Sequence, residues 1–403
     1  MGRGMKSVVG MVRSPKGRIW GISLALIALA GIAGTLGVGF ASEARRDPGP
    51  YVPTGLPSPK RPLAMAPAPP PEDLQSELQS LAAGYGEPVG LAVVDVQAGW
   101  TAQVAGDVDF PQQSVSKLWT AITLLDGADQ GRFRLDAPIT MRTEDLSVFF
   151  QPIAQSYGPD GYTTTVEDLL RRAMIESDNA AADRLVRHVG GAGAIQAVLD
   201  RKRLAGVFAG GEERDLQSAI AGMTWRQSYG LANNFKVARA QLSPEVRDQA
   251  LAAYLENPPD RATPAGVAQA LAALKRGDLL SPGATALLIS MMGEATTGPR
   301  RLKGGLPPDW TLAHKTGTGQ DWRGASVGIN DVGLLTAPDG RTYAVAVMIR
   351  RTAQPVPARL AFMQGVSAAI VRHWQADAGP HGLSPDLRVA AGLPELGPLR
   401  RAR

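Results

Sequence analysis

A serine and a lysine three residues apart are the first feature of the sequence that could perform chemistry. Ser114 and Lys117 lie just before an apolar run that predicts a helix, and their spacing places both side chains on one face of it. A serine hydroxyl is a weak nucleophile and needs a base within hydrogen-bonding reach. A lysine can be that base when burial or a neighbouring cation lowers its pKa. The pair therefore indicates nucleophilic catalysis, although alone it also fits a surface lysine that follows a helix cap.

Two further motifs place polar groups where structural elements end. Ser-Asp-Asn at 177–179 separates two helical stretches, and its residue types are also the commonest helix N-caps. Lys-Thr-Gly-Thr-Gly at 315–319 ends a strand pattern, which alone is also typical of a strand that enters a glycine turn. The missing side chain at Gly317 would let a ligand lie against the backbone. Together the three motifs are far more specific than any one of them.

The order and context of these motifs resemble the signature of penicillin-recognising serine enzymes. Residues 72–376 resemble the class A β-lactamase domain, and the helical sequence at 263–274 adds to the likeness. The resemblance implies hydrolysis of β-lactam antibiotics through an acyl-enzyme on Ser114, without a metal or an organic cofactor. One alternative is a D,D-peptidase or transpeptidase that acts on peptidoglycan peptides. The other is a catalytically silent envelope binding protein.

A loop carboxylate distinguishes class A hydrolases from the related peptidases, because it activates the water that releases the acyl-enzyme. The family pattern is Glu-x-x-Leu-Asn, and Glu213, 34 residues after Asn179, begins the similar sequence Glu-Arg-Asp-Leu-Gln. The resemblance implies that Glu213 is the catalytic carboxylate and that Gln217 replaces the asparagine that helps hold the water. Glu212 is a neighbouring candidate, and a solvated charged turn is the structural alternative.

The resemblance implies a role for each remaining motif residue. Lys117, or Glu213 through a water, accepts the proton of Ser114, and Ser177 relays a proton to the leaving nitrogen. Backbone N–H groups of Ser114 and Thr318 form the oxyanion hole. Asn179 orients the acylamide side chain of the substrate. The residues implied at the substrate carboxylate are Lys315, Thr316, Gly317 and Thr318, with Arg323 in support.

One segment departs from the family pattern. The stretch from Glu213 to Lys315 is longer than the family usually needs, and the extra material lies at about 222–260. It contains a helix-like run at 244–256 behind three aromatic residues. We expect an added surface lobe that packs these aromatics, and the alternative is a lobe that lines the substrate cleft. Phe149 and Phe150 either lie at the cleft mouth, as in the family, or pack in the core.

Strand and helix patterns indicate how these residues are brought together. Runs at 90–96, 100–106, 311–317, 326–337 and 342–350 predict strands from both ends of the chain. Periodicity at 72–83 and 358–375 predicts a helix at each end, and the middle of the chain is rich in helix patterns. We therefore expect an α+β fold, with an antiparallel sheet flanked by helices and an inserted all-helical lobe.

The N-terminal region predicts export. Residues 1–18 form a basic region with five basic and no acidic residues, and the 24 residues of 19–42 are uncharged. As a helix the latter would cover roughly 36 Å, enough for a bilayer core of about 30 Å, with the body on the periplasmic or equivalent extracytoplasmic side. A cleaved signal peptide is the alternative to an anchor. Residues 43–71 predict a proline-rich linker, 72–376 the catalytic domain and 377–403 a flexible tail.

Composition argues against several other functions. The chain has no cysteine, which rules out disulfides and cysteine nucleophiles, and only four histidines, which disfavours a histidine-rich metal centre. Its net charge of +5 comes from the leader, since 37 basic and 37 acidic residues remain beyond it. A neutral body gives no electrostatic reason to expect a nucleic-acid partner. We expect a monomer.

Overall fold

The computed structural model describes residues 68–378, within which helices and strands are interleaved along the chain. The helices are α1 (Glu72–Tyr85), α2 (Lys117–Asp129), α3 (Val166–Arg171), α4 (Asn179–His188), α5 (Gly191–Arg201), α6 (Glu213–Ile220), α7 (Asn234–Ala240), α8 (Pro244–Glu256), α9 (Pro264–Arg276), α10 (Pro282–Gly293) and α11 (Val356–Ala378). The strands are β1 (Val89–Asp95), β2 (Thr101–Val104), β3 (Phe110–Pro111), β4 (Pro138–Met141), β5 (Tyr162–Thr165), β6 (Arg261–Ala262), β7 (Thr311–Gly317), β8 (Asp321–Trp322), β9 (Ala325–Thr336) and β10 (Thr342–Thr352).

A six-stranded sheet organises the described fold. Its hydrogen-bonded order is β2-β1-β10-β9-β7, with β8 paired to β9, and every pairing is antiparallel. β1 pairs along its whole length with β10 from the other end of the chain, so that Val93 lies opposite Val345. Nearly all residues of β9 and β10 are buried on both faces, which explains the continuous apolar run of β10 from Tyr343 to Ile349. β9 also buries the polar residues Asn330 and Asp331. The predicted α+β fold with an antiparallel sheet is confirmed.

Helices cover both faces of this sheet. On one face, α1 and α11 pack through residues such as Leu78 and Phe362 against Val345 of β10. On the other, α2 and α9 pack through Leu118 and Leu271 against the opposite side chains of the same strands. Removal of this apolar surface from water is the main driving force for folding. The same packing brings the turn at 113–116, which precedes α2, against β7 and β9, where the Lys-Thr-Gly motif ends β7.

The lobe between β3 and β7 is mainly helical, but it is not all-helical as predicted. Two short antiparallel ladders occur in it, β3 with β6 and β4 with β5. In the second, Ile139 and Met141 are buried while Thr140 contacts the hydroxyl of Thr163 across the pair at 2.9 Å. Strands of two to four residues are too short for their alternation to be distinguished in a sequence.

The extra segment at 222–260 folds as α7 and α8 and packs against the body. α8 has the bounds predicted for the helix-like run, and the hydroxyl of Ser243 accepts a backbone hydrogen bond at its N-terminus. Phe235 of α7 is buried beside Val148. Leu251 and Tyr254 of α8 are buried against residues of α6 and β9. The segment therefore shares its apolar contacts with the elements that surround it.

The N-terminal predictions fall outside the part of the chain that the structure describes. This applies to the basic region and apolar run at 1–42, to most of the linker and to nearly all of the tail. Among residues 68–378, no helix is both long enough and apolar enough to cross a bilayer. α11 extends to Ala378, slightly beyond the helical run predicted at 358–375.

Candidate active site

Ser114 lies in a tight 3₁₀ turn, Gln113–Ser116, that continues into α2. Gln113 has a φ of 54°, in the left-handed region that a residue with a side chain adopts only when its surroundings hold it there. Its backbone N–H donates a buried hydrogen bond of 2.7 Å to Asp260 Oδ2. This contact helps to hold the turn that presents Ser114 to a cavity.

Lys117 contacts several of the predicted catalytic residues at once. Its side chain is 3% exposed, and Nζ lies 2.9 Å from Ser114 Oγ, 2.6 Å from Asn179 Oδ1 and 3.6 Å from Glu213 Oε1. It also donates to the carbonyl oxygen of Ser177 at 3.0 Å and to its hydroxyl at 3.2 Å. A buried ammonium is costly unless acceptors surround it. Lys117 therefore ties the nucleophile to the Ser-Asp-Asn motif and to Glu213.

Ser177 lies between the two lysines of the site. The π-helical turn Arg172–Glu176 ends at Ser177, whose φ of 64° is also left-handed. Its Oγ accepts from Lys117 Nζ at 3.2 Å and from Lys315 Nζ at 2.9 Å. Asp178 caps α4 by accepting the N–H of Ala181 at 2.9 Å. The motif therefore supplies both the helix cap and a hydroxyl of the site.

The Lys-Thr-Gly motif forms a second wall, at the end of β7. Lys315 is fully buried, and its pKa lies well below its ordinary value because burial penalises the ammonium and Lys117 repels it. A Cβ added at Gly317 would lie 2.3 Å from the carbonyl oxygen of Gln112. β7 can therefore approach the nucleophile turn only because residue 317 is glycine. Thr316 and Thr318 line the cavity on either side of Gly317.

Glu213 begins α6 and directs its carboxylate at the nucleophile. It is 5% exposed, and Ser114 Oγ donates to its Oε1 at 3.2 Å. The first N–H groups of α6, those of Glu213 and Arg214, donate to Asp183 at 2.5 and 3.1 Å. These donors have no intrahelical acceptor, so Asp183 fixes the position at which the helix begins. The neighbouring candidate, Glu212, instead pairs with Arg214 at 2.9 Å and does not line the cavity.

A buried chain of polar groups connects Glu213 with the extra segment. Gln217 Nε2 donates to Glu213 Oε2 at 3.2 Å and to Gln113 Oε1 at 2.7 Å. Gln113 Nε2 donates to the Tyr254 hydroxyl at 2.6 Å, and that hydroxyl donates to Asp260 Oδ1 at 2.8 Å. Burial raises the pKa of Asp260 to about 6. Sequence analysis missed Tyr254 and Asp260, because neither belongs to a local motif.

The placement predicted for Arg323 is wrong. Arg323 lies between β8 and β9, where its guanidinium is 57% exposed and pairs with Asp248 of α8 at 2.7 Å. Arg301 lies against the end of β7 instead, donating to the carbonyl oxygen of Gly317 at 3.0 Å and to Thr318 Oγ1 at 2.6 Å. Asp248 of the extra segment thus pairs with Arg323 outside the cavity. Sequence analysis missed Arg301, because the loop before β7 that contains it has no periodic pattern.

These residues surround a cavity of about 670 Å³, the size of pockets that hold small-molecule ligands. Phe149 and Phe150 line it and are 43% and 56% exposed. Phe149 packs edge-on against Phe235 of α7 at 5.0 Å, and Arg239 of the same helix lines the cavity. The extra segment therefore forms part of the cavity wall.

The arrangement of the cavity can activate a hydroxyl for attack on a carbonyl group and can bind an anion nearby. The lining comprises Ser114, Phe149, Phe150, Glu176, Ser177, Asn179, Glu213, Gln217, Arg239, Thr296, Thr297, Gly298, Arg301, Thr316, Thr318, Gly319, Gln320 and Asp321.

Comparison with known sequences identifies relatives over most of the described chain. Residues 73–374 match the model of a family described as the beta-lactamase enzyme family. The extended-spectrum beta-lactamase PER-1 of Pseudomonas aeruginosa is 30% identical over 282 residues, which cover 70% of this chain and 80% of that protein. Beta-lactamase VEB-1 of the same organism is 25% identical over 279 residues, 69% of this chain and 82% of that protein.

Solved structures give the same result for the fold. A beta-lactamase from Chitinophaga pinensis DSM 2588 matches with a TM-score of 0.61 and 26% identity, covering 75% of this chain and all of that chain. An ancestral class A beta-lactamase matches with a TM-score of 0.58 and 30% identity, covering 74% of this chain and 99% of that one.

The polar chain predicts that Tyr254 stabilises the protein through its hydroxyl. Tyr254→Phe leaves Gln113 Nε2 and Asp260 Oδ1 each without this buried partner, and should lower the free energy of unfolding by about 1–3 kcal/mol. Urea denaturation measures this change. Tyr229→Phe, in the same segment, is the control and should change stability by less than about 0.5 kcal/mol. Equal stability of the two variants would contradict the role assigned to the hydroxyl.

Asp183 predicts a dependence of stability on pH. Burial, with a further contribution from the Glu213 carboxylate, raises the pKa of Asp183 to about 7. The folded protein then holds a proton that the unfolded chain has lost. This stabilisation is complete below the unfolded pKa of about 4 and is lost as pH rises through about 7.

Asp183→Asn removes this titration. Between pH 5 and pH 8, the unfolding free energy of the natural protein should therefore fall by about 2–3 kcal/mol relative to that of Asp183→Asn. Denaturant titrations at a series of pH values give both curves. Asp215→Asn, an exposed change on α6, should run parallel to the natural protein. Parallel curves for Asp183→Asn as well would show that Asp183 does not titrate in this range.

Proposed function

Because the chain belongs to the beta-lactamase enzyme family, we propose that it is a serine hydrolase that opens β-lactam antibiotics through an acyl-enzyme on Ser114. The proposal depends on one observation, the convergence of Lys117 Nζ at 2.9 Å and Glu213 Oε1 at 3.2 Å on Ser114 Oγ. These are the two groups that a serine needs for activation and for later release. One chain supplies the whole constellation, which supports action as a monomer.

In acylation, Ser114 Oγ forms a bond to the lactam carbonyl carbon, and the carbon–nitrogen bond of the ring breaks. The hydroxyl proton passes to Glu213, which already accepts a hydrogen bond from Ser114, or to Lys117 in its neutral amine form. Ser177 Oγ, between the two lysines, then delivers a proton to the ring nitrogen and regains one from Lys117. Lys117 receives the Ser114 proton directly or from Glu213, so that Glu213 is a carboxylate again when acylation ends. The backbone N–H groups of Ser114 and Thr318 stabilise the charge on the carbonyl oxygen, and losing one such donor typically costs about 100-fold or more in rate.

In deacylation, Glu213 takes a proton from a water that attacks the ester carbonyl carbon. Gln217 Nε2, 3.2 Å from Glu213 Oε2, holds the carboxylate in position and supports the role proposed for it beside the water. The carbon–oxygen bond to Ser114 then breaks, and the serine regains its proton from Glu213. The ring-opened acid leaves and the original protonation state is restored.

The end of β7 is suited to the carboxylate that β-lactam antibiotics carry on the ring next to the lactam. Burial disfavours the charged form of Lys315, so a substrate anion would supply a counter-charge. Thr318 and Arg301 present further donors at the same place, joined by a hydrogen bond of 2.6 Å. Asn179 donates to the carbonyl oxygen of Val148 at 2.8 Å and has a second N–H for the acylamide group.

Glu213→Gln should convert turnover into a stalled reaction. Glutamine cannot take the proton of the hydrolytic water, so steady hydrolysis of a chromogenic cephalosporin should fall by about 100-fold or more. Mass spectrometry of the intact protein should show an adduct that persists on Ser114, and Ser114→Ala should show neither adduct nor turnover. The rate of adduct formation in Glu213→Gln also reports whether Lys117 suffices as the base for acylation.

Glu212→Gln is the matched control, because Glu212 is the adjacent carboxylate and pairs with arginines outside the cavity. This variant should retain steady turnover. A natural protein that gives one stoichiometric burst and a lasting adduct would instead be a peptidase acting on peptidoglycan peptides. A folded natural protein that no penicillin labels at Ser114 would be a binding protein without this activity.

We further propose that the protein is exported and acts in the periplasm or an equivalent extracytoplasmic space, held at the membrane by residues 19–42 or released by cleavage near them. The uncharged run behind five basic residues supports this. After expression of the full chain in a Gram-negative host, fractionation and intact mass should find either full-length protein in membranes or a shortened protein in the periplasm. Deletion of residues 1–42 should leave the protein in the cytoplasm. Cytoplasmic full-length protein would contradict export.

A further inference from the structure

Arg239 of α7 is a cation of the cavity that the proposed mechanism does not use. It lines the cavity that contains Ser114, and its side chain is partly buried. Its Nη1 donates to the neutral amide oxygen of Gln320 at 2.6 Å, and its guanidinium lies 5.7 Å from the centre of the Phe149 ring. Within residues 68–378 it forms no ion pair with a carboxylate, although a guanidinium can donate five hydrogen bonds.

Two other arginines near the extra segment pair with carboxylates, as Arg239 does not within the described residues. Arg323 pairs with Asp248 at 2.7 Å, and Arg214 pairs with Glu212 at 2.9 Å. Burial lowers the pKa of Arg239. The carboxylate of Asp321, which lies beyond ion-pair distance, offsets this lowering only in part. A partly desolvated cation without a counter-ion favours an anionic ligand.

The contacts of Arg239 place it away from the ring-carboxylate residues. Through Gln320 it connects with Gln217, because Gln320 Nε2 donates to Gln217 Oε1 at 3.1 Å. Through Phe149 it adjoins the loop in which the carbonyl oxygen of Phe150 accepts the N–H of Asn179 at 2.9 Å. Arg301, in contrast, contacts the end of β7. Arg239 therefore faces the part of the cavity where Asn179 would orient the acyl side chain of a substrate.

We propose that Arg239 forms a second anion subsite, which binds a carboxylate carried on the acyl side chain of the β-lactam. This inference rests on the proposed function and adds a substrate class to it, penicillins and cephalosporins with an acidic side chain. A carboxylate can accept two parallel hydrogen bonds from a guanidinium, which gives direction as well as attraction. Asp321, which also lines the cavity, repels the same anion and limits the preference.

The test compares two penicillins that differ by one carboxylate, benzylpenicillin and its α-carboxy analogue carbenicillin. The quantity measured is the ratio of kcat/KM for carbenicillin to kcat/KM for benzylpenicillin, using the full chain. Arg239→Gln should lower this ratio by about 10-fold or more, since a hydrogen bond to a charged group is lost, and mainly through a higher KM for carbenicillin. Arg239→Lys, which keeps the charge without the planar fork, should restore part of it.

Arg247→Gln is the matched control, because Arg247 belongs to the same segment but stacks on Trp322 and does not line the cavity. It should leave the ratio unchanged. Asp321→Asn should raise the ratio, and this variant keeps the inference testable if Arg239→Gln fails to fold. An unchanged ratio in Arg239→Gln, or a lower one in Asp321→Asn, would overturn the subsite while benzylpenicillin is still hydrolysed. Failure of the natural protein to hydrolyse either penicillin would instead overturn the proposed function.

Discussion

The buried amino group of Lys117 is the constraint on which the site depends. A charge with 3% of its side chain exposed is stable only if acceptors surround it, and here they come from Ser114, Ser177, Asn179 and Glu213. These residues lie in the turn before α2, at the start of α4 and just before it, and on α6. The packing of the helical lobe must therefore bring three separate elements to one point. The same requirement gathers the hydroxyls of Ser114 and Ser177 and the carboxylate of Glu213 around one amino group.

The extra segment stabilises the turn that carries Ser114. Gln113 holds a left-handed backbone beside the nucleophile, a conformation that costs on the order of 1–3 kcal/mol. Asp260 accepts its N–H, and Tyr254 accepts its side-chain amide. The segment at 222–260 is thus part of the structure that orients Ser114. Its helices also reach the cavity wall at Arg239. The stability of the site and the shape of the cavity consequently depend on the same segment.

Charge in the cavity is arranged for anionic ligands. Lys315 and Arg301 are both desolvated at the end of β7, and burial lowers the pKa of each. Arg239 adds a cation near Phe149. Buried cations of this kind raise the energy of the empty site and lower that of a complex with an anion. The desolvated cations therefore lower the stability of the folded protein and favour the binding of an anion, as is common in functional sites.

The family, the α+β fold and the central group of candidate site residues follow from the sequence alone. The comparisons confirm the family, and the structure brings Ser114, Lys117, Ser177 and Glu213 together. These predictions succeeded because helical spacing and the ends of strands act over a few residues. Arg323 was misplaced, and Arg301, Tyr254 and Asp183 were missed. Tyr254 contacts Gln113 across 141 positions of the chain. Such contacts are decided by tertiary packing, since no local pattern specifies which distant donor will meet a buried acceptor.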